Sequence, residues 1–320
     1  MWTSNAPRPL LPPRRASRNG DEDGARAPAA TATPPPPPTA AWFLLERTRS
    51  SEFPRPPWGP AGLVRVAAFS VAAAAAFAAA DALLISPAAG DDDARLMALV
   101  HLAREGALAA LLPSAVWLAL KPDLDRSAAK AAEAGGAAPR PFRLAAWLPS
   151  STPDSYNWAT QALITAAVAF PLAELIGAAV DGAFPRDGGG ADLAAAVRAA
   201  AASGDRLSVA AHAFASGALA PIWEEVFWRG FFVASLARVV LLAKGAKKEA
   251  GLGVVAASAI GFSALHLSPR AAPSLALLGA CCDLLYLRSG GNLAGPLLFH
   301  GLWNTGQVLL VAAGVKDTFL

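Results

Sequence analysis

Apolar residues in this chain fall into long runs separated by short polar stretches. Residues 63–85, 96–120 and 159–180 are each long enough for a helix to cross the ~30 Å hydrocarbon core of a bilayer. Residues 222–243 and 293–311 form two more runs of that kind, and 252–267 and 272–287 are shorter spans joined by a Ser-Pro-Arg turn at 268–270. An eighth run, 207–220, reaches only about 21 Å at 1.5 Å per residue. It ends at Pro221, as a re-entrant segment, an interfacial segment or the first half of a broken helix would. The expected fold is therefore all-α: a polytopic transmembrane helix bundle of seven to eight membrane segments.

The polar stretches test that count. Residues 121–143 carry Lys121, Arg126, Lys130, Arg140 and Arg143, and Lys244, Lys247 and Lys248 make a second basic loop. Basic loops lie on one side of a membrane, so the chain crosses twice between them. Residues 159–180 supply one crossing, which leaves one for 207–243 and argues that 207–220 does not span by itself. Asp91, Asp92 and Asp93 mark an aqueous loop, and residues 181–206 read as a loop with Gly and Asp. Trp147, Tyr156 and Trp158 stand where interfacial aromatics are enriched.

Residues 1–60 are different material. Arg8, Arg14, Arg15 and Arg18 precede any acid, Asp21, Glu22 and Asp23 follow, and residues 34–38 are all proline. Nothing here can form an apolar core, so a disordered tail is expected. Its basic, acid-free first twenty residues also fit an organellar transit peptide, which points to a chloroplast membrane, with the endoplasmic reticulum as the alternative. The domain reading is thus a tail at 1–60 and an intramembrane helical domain at 61–320, with its motifs in about 206–312.

Composition agrees. The chain is 54% hydrophobic and 16% charged, against about 25% charged in soluble domains. A formal net charge of +3, spread over short loops, suits membrane orientation and membrane lipid as surroundings, not nucleic acid. Cys281 and Cys282 are adjacent in an apolar run and read as small buried residues.

Against this background the ionisable residues inside apolar runs carry the chemistry, because such groups are costly in a membrane. Glu224, Glu225 and Arg229 lie in one run. Pro221 suits a first helical turn, and from there Glu225 and Arg229 stand four apart on one face in the favourable order for an ion pair. Glu224 points about 100° away and is left free for chemistry. Phe262 stands one turn before His266, and Asn304 one turn after His300 on the same face. Folding the successive runs as hairpins brings Glu224, His266, His300 and Asn304 to compatible depths, where they can meet in one pocket. His101 and Glu105 share a helical face and read as a structural polar contact or as the watery end of a helix. Glu174 reads as buried against a polar partner, and His212 as core packing.

Taken in order, Glu224-Glu225-x-x-x-Arg229, Phe262-x-x-x-His266 and His300-x-x-x-Asn304 resemble the three signature motifs of the CPBP (Abi) intramembrane proteases, which include the type II CAAX prenyl endopeptidases. The turn from Tyr286 through Arg288 and Ser289 resembles that family too. The resemblance implies a membrane endopeptidase in which Glu224 activates water with help from His266. His300 and Asn304 would bind the developing oxyanion, with Glu225, Arg229 and Phe262 supporting them. It implies a membrane-embedded or lipidated protein as substrate. Two histidines and a glutamate also have the ligand types for Zn²⁺, so a metal held by Glu224, His266 and His300 stays open, although the His-Glu-x-x-His spacing is absent. Two other readings compete. One is a non-catalytic scaffold of the same fold that regulates other plastid membrane proteins. The other is a transporter using Glu174, Glu224 and the histidines as a proton path, which inverted repeats would support; the sequence contains none that can be defended.

Overall fold

Each long apolar run becomes a helix in the computed structural model, which describes residues 56–80, 82, 93–136, 157–180, 191–241, 250–289 and 291–316. The first runs give α1 (Pro60–Ala80), α2 (Ala94–Glu133) and α3 (Trp158–Val180). Asp93 caps α2 by accepting from the Arg95 N–H, and Asn157 caps α3 by accepting from Ala159 and Thr160. After α4 (Ala191–Ala202), one unbroken helical run extends from residue 206 to 241. It comprises α5 (Arg206–Phe214), a π-helical stretch Ala215–Leu219, α6 (Ala220–Glu225), a second π-helical stretch Val226–Val233, and α7 (Ala234–Leu241). Then come α8 (Ala250–Leu265), α9 (Ala272–Arg288) and α10 (Ala294–Ala312).

Every regular element among the described residues is helical, as expected. Three of them, α1, α2 and α3, are long and apolar enough to cross a membrane, and the protein is an integral membrane protein. Seven to eight crossings is a finer count than helix length and composition establish. Two loops expected from the sequence are helical instead. Residues 121–133 continue α2, where Lys121 pairs with Asp125 one turn on at 2.7 Å. Residues 191–202 form α4, an alanine-rich stretch of high helix propensity, whose Ala194 and Val197 pack on Val308 and Val311 of α10. The run 207–220 is the first half of the motif helix rather than a separate span.

Two apolar clusters place the site. One joins Ala162, Ala169 and Ala173 of α3 with Phe262 of α8, Leu278 and Cys282 of α9, Phe299 and Trp303 of α10, and Trp228. The other joins Trp58, Val66 of α1, and Val116, Ala119 and Leu120 of α2 to Phe231 and Ala234. Trp58, which the sequence assigns to the tail, is 2% exposed and donates its indole N–H to Ser235 at 2.9 Å. Residues 1–55, with the transit reading, lie outside the described residues. The α1–α2 hairpin is held by Arg65, which donates to Asp123 at 2.6 Å and to the Ala119 carbonyl at 2.8 Å. Gly62 permits this, since a Cβ there would sit 2.7 Å from Asp123 Oδ2.

Candidate active site

The site is built on the 206–241 run, and its two π-helical stretches shape it. Wide turns of this kind leave backbone groups to be satisfied from outside the helix. In the first, the Ala220 N–H goes to the Ala215 carbonyl, and Pro221 has no N–H to give Ser216. The Ser216 carbonyl takes its donor from another helix: Asn304 Nδ2 donates to it at 2.9 Å. The two backbones touch there. A Cβ on Gly301 would strike the Gly217 carbonyl oxygen, and a Cβ on Gly217 would strike Thr305 Oγ1.

One turn further on, Glu224 and Glu225 are both buried. Glu225 and Arg229 form the expected i,i+4 pair at 2.9 Å, with both side chains fully enclosed. Arg229 does more than pair with Glu225. It also donates from Nε to Asp283 Oδ1 at 2.9 Å and from Nη2 to the Gly279 carbonyl at 2.8 Å, both on α9. Its guanidinium carbon sits 5.0 Å from the centroid of the Phe262 ring. Asp283 was missed in the sequence, although a lone acid in an apolar run was the signal for it.

Glu225 Oε1 also accepts from His300 Nδ1 at 2.7 Å. With Nδ1 engaged, Nε2 of His300 is the nitrogen turned toward Glu224, 3.7 Å from Glu224 Oε2. That distance is too long for a direct hydrogen bond, and among the described residues Glu224 Oε2 has no hydrogen-bond partner. So the two carboxylates differ in company as the sequence predicts: Glu225 is held by a cation and an imidazole, and Glu224 is left open beside His300.

The remaining expected residues lie around this pair. Phe262 is fully buried and packs its ring 4.7 Å from that of His266 and 5.9 Å from that of His300. It lies between the two imidazoles. His266 sits in the turn just after α8 and is exposed, with its Nδ1 2.8 Å from the Phe262 carbonyl. Asn304 is half-buried and spends one amide N–H on Ser216, which leaves the second. Outside the pocket, His101 meets His212 at 3.0 Å and Glu105 meets Trp223 at 3.1 Å. Glu174 is half-buried against Gln307 and Lys316.

The described residues that converge as metal-ligand types are Glu225, Cys282 and His300, which share only His300 with the set the sequence left open. This triple does not suit a cation. Glu225 Oε1 already takes Arg229 and His300, and a dication there would lie beside the guanidinium charge. The arrangement instead offers a carboxylate base, an imidazole oriented by a second carboxylate, and an amide donor, which are the parts of acid–base hydrolysis with oxyanion support.

Comparison with curated proteins and with solved structures finds no match for this chain. Comparison with protein families does. Residues 206–306, the stretch from the start of α5 into α10 that holds every motif residue, match the Rce1-like family, described as type II CAAX prenyl endopeptidase Rce1-like.

Proposed function

We propose that this protein is an intramembrane endopeptidase that cuts a peptide bond with a glutamate-activated water. The observation that carries the reading is the unpartnered oxygen of Glu224, 3.7 Å from an imidazole nitrogen whose other side is held by Glu225. A water seated between Glu224 Oε2 and His300 gives its proton to Glu224 as its oxygen attacks the carbonyl carbon. The negative charge that develops on the carbonyl oxygen is met by His300 and by the free N–H of Asn304. Donation from Nε2 requires His300 to carry a proton on both ring nitrogens, because Nδ1–H is already given to Glu225. Glu224 then returns the proton to the amine nitrogen as the C–N bond breaks. His266 stands by through Phe262 and joins in holding the water. Glu225, Arg229 and Asp283 keep His300 turned toward Glu224.

The substrate class that fits is a membrane-embedded or lipidated protein, in line with the family description. A chloroplast membrane is the proposed location, and fusing residues 1–60 to a fluorescent protein in a plant cell tests it; a diffuse cytosolic signal rejects it. The test of the activity is a screen of peptides and prenylated peptides with the purified protein in detergent, wild type beside Glu224→Gln. Loss of a positioned general base lowers turnover about 10²–10⁴-fold. Equal cleavage by the two proteins would overturn the mechanism, and a scaffold of the same fold would show no cleavage by either.

A further inference from the structure

Outside the pocket, three polar pairs join α2 to the 206–241 run and to Asp205, which caps its start. At the rim, Arg95 Nε meets Asp205 Oδ2 at 2.8 Å, and the arginine is largely exposed. Six residues deeper along α2, His101 Nδ1 lies 3.0 Å from His212 Nδ1. One turn deeper again, Glu105 Oε2 accepts the indole N–H of Trp223 at 3.1 Å. Trp223, which Glu105 holds, directly precedes Glu224 in the chain.

The depth of this file matters. Glu105 lies about 17 Å along α2 from Ala94 at 1.5 Å per residue, near the middle of a ~30 Å hydrocarbon core. Ionisable groups at that depth face the bundle interior or a water-filled cavity. These groups are not sealed against one another as a structural contact would be. His101 and Glu105 are only half-buried. His212 is 0% exposed, yet its Nε2 has no hydrogen-bond partner among the described residues. Two imidazoles facing through Nδ1 share a single proton, and His212 keeps Nε2 as a second polar nitrogen for which the described residues supply nothing. Water is the group that satisfies buried polar atoms of this kind.

We propose that His101, His212 and Glu105 line a water entrance that runs from the Arg95–Asp205 rim to Glu224. The inference rests on the hydrolase reading and deepens it: each bond cut consumes one water, which must reach Glu224 through an apolar layer. The entrance uses α2, which lies outside the stretch matched to the family. Arg95, His101 and Glu105 face the motif helix at successive depths and mark its wall.

Hydroxyl-radical footprinting of the full chain in nanodiscs tests this, with radicals generated from water and oxidation read residue by residue by mass spectrometry. Trp223 and His101 should be oxidised about tenfold above Phe69, an exposed aromatic on the outer face of α1, after correction for intrinsic reactivity. His101→Phe should cut Trp223 oxidation severalfold by closing the entrance with an apolar ring, whereas His101→Gln should keep it. If the phenylalanine variant does not fold, the wild-type footprint still decides, because a Trp223 as protected as Phe69 overturns the proposal. Glu224→Gln separates the two readings. A full footprint with cleavage indifferent to Glu224→Gln sinks the glutamate mechanism and leaves the entrance standing. A protected Trp223 with cleavage lost in Glu224→Gln does the reverse.

Discussion

Arg65 and Arg229 each grip a carboxylate from another helix, and the difference between them separates the two halves of the molecule. Arg65 is about one-third exposed and has one close acid, Asp123. It ties α1 to α2, and beyond Gly62 and Val66 α1 buries little of itself. Arg229 is wholly enclosed and holds two acids and a carbonyl, on two helices. Removing water from such a group is expensive, and the interaction returns that energy only when every donor is satisfied. The hairpin is thus a latch in contact with its surroundings, while the motif core is a closed charge network. One oxygen of each acid carries that network, since Glu225 Oε2 and Asp283 Oδ2 have no hydrogen-bond partner among the described residues.

Substitutions can break that comparison. Arg229→Ala strands Glu225 and Asp283 in the core and should cost roughly 3–5 kcal/mol, read as a large fall in melting midpoint in detergent along with loss of activity. Asp283→Asn keeps the shape and removes one charge, and should cost about 1–3 kcal/mol; a midpoint equal to wild type would mean that Arg229 does not need its second acid. Arg65→Ala leaves Asp123, among the described residues, with only Arg126 at 3.6 Å, and should cost about 1–2 kcal/mol with activity kept. A loss as large as that of Arg229→Ala would erase the distinction drawn here. Glu224→Ala should leave the midpoint unchanged or raise it, because it removes a buried polar atom that has no partner, while abolishing turnover. A midpoint far below wild type would mean that Glu224, not Glu225, is the structural acid.

The smallest effect is expected at the rim. The Arg95 guanidinium, hydrogen-bonded to Asp205, holds that carboxyl below the usual carboxylate range. A depressed acid stabilises the folded state above its ordinary range and loses that contribution as pH falls through its lower folded value. Melting midpoints should therefore drop slightly more on acidification in wild type than in Asp205→Asn. An equal pH dependence would show that this pair contributes nothing.

The ends of α1, α3, α8, α9 and α10 were legible to within a few residues, because an apolar run bounded by charges or by Ser-Pro-Arg leaves little freedom. So was the Glu225–Arg229 pair, which depends only on helical spacing. Helix α4 and the extension of α2 were not, because alanine among charged residues reads as polar loop when apolarity is the only guide. The second partners were also hidden. Asp283 meets Arg229 across a distance of 54 residues, and His300 meets Glu225 across 75. Helical periodicity says nothing about which faces will meet. Asn304 was placed correctly one turn from His300, but its bond to Ser216 follows from a π-helical turn that spacing at 3.6 residues does not contain.

The touching backbones at Gly217 and Gly301 have a consequence for how the protein sits in bilayers of different thickness. Side-chain interfaces adjust by changing rotamer, and a helix pair joined that way can slide. A backbone-to-backbone contact has no rotamers, so α10 and the 206–241 run move as one piece, with His300 fixed in height against the turn that leads to Glu224. Mismatch between protein and membrane is taken up by tilt, and α1, which buries little of itself, is the part free to tilt. Reconstituted in lipids of increasing acyl-chain length, α1 should change its angle while the depth of the pocket relative to α10 stays constant.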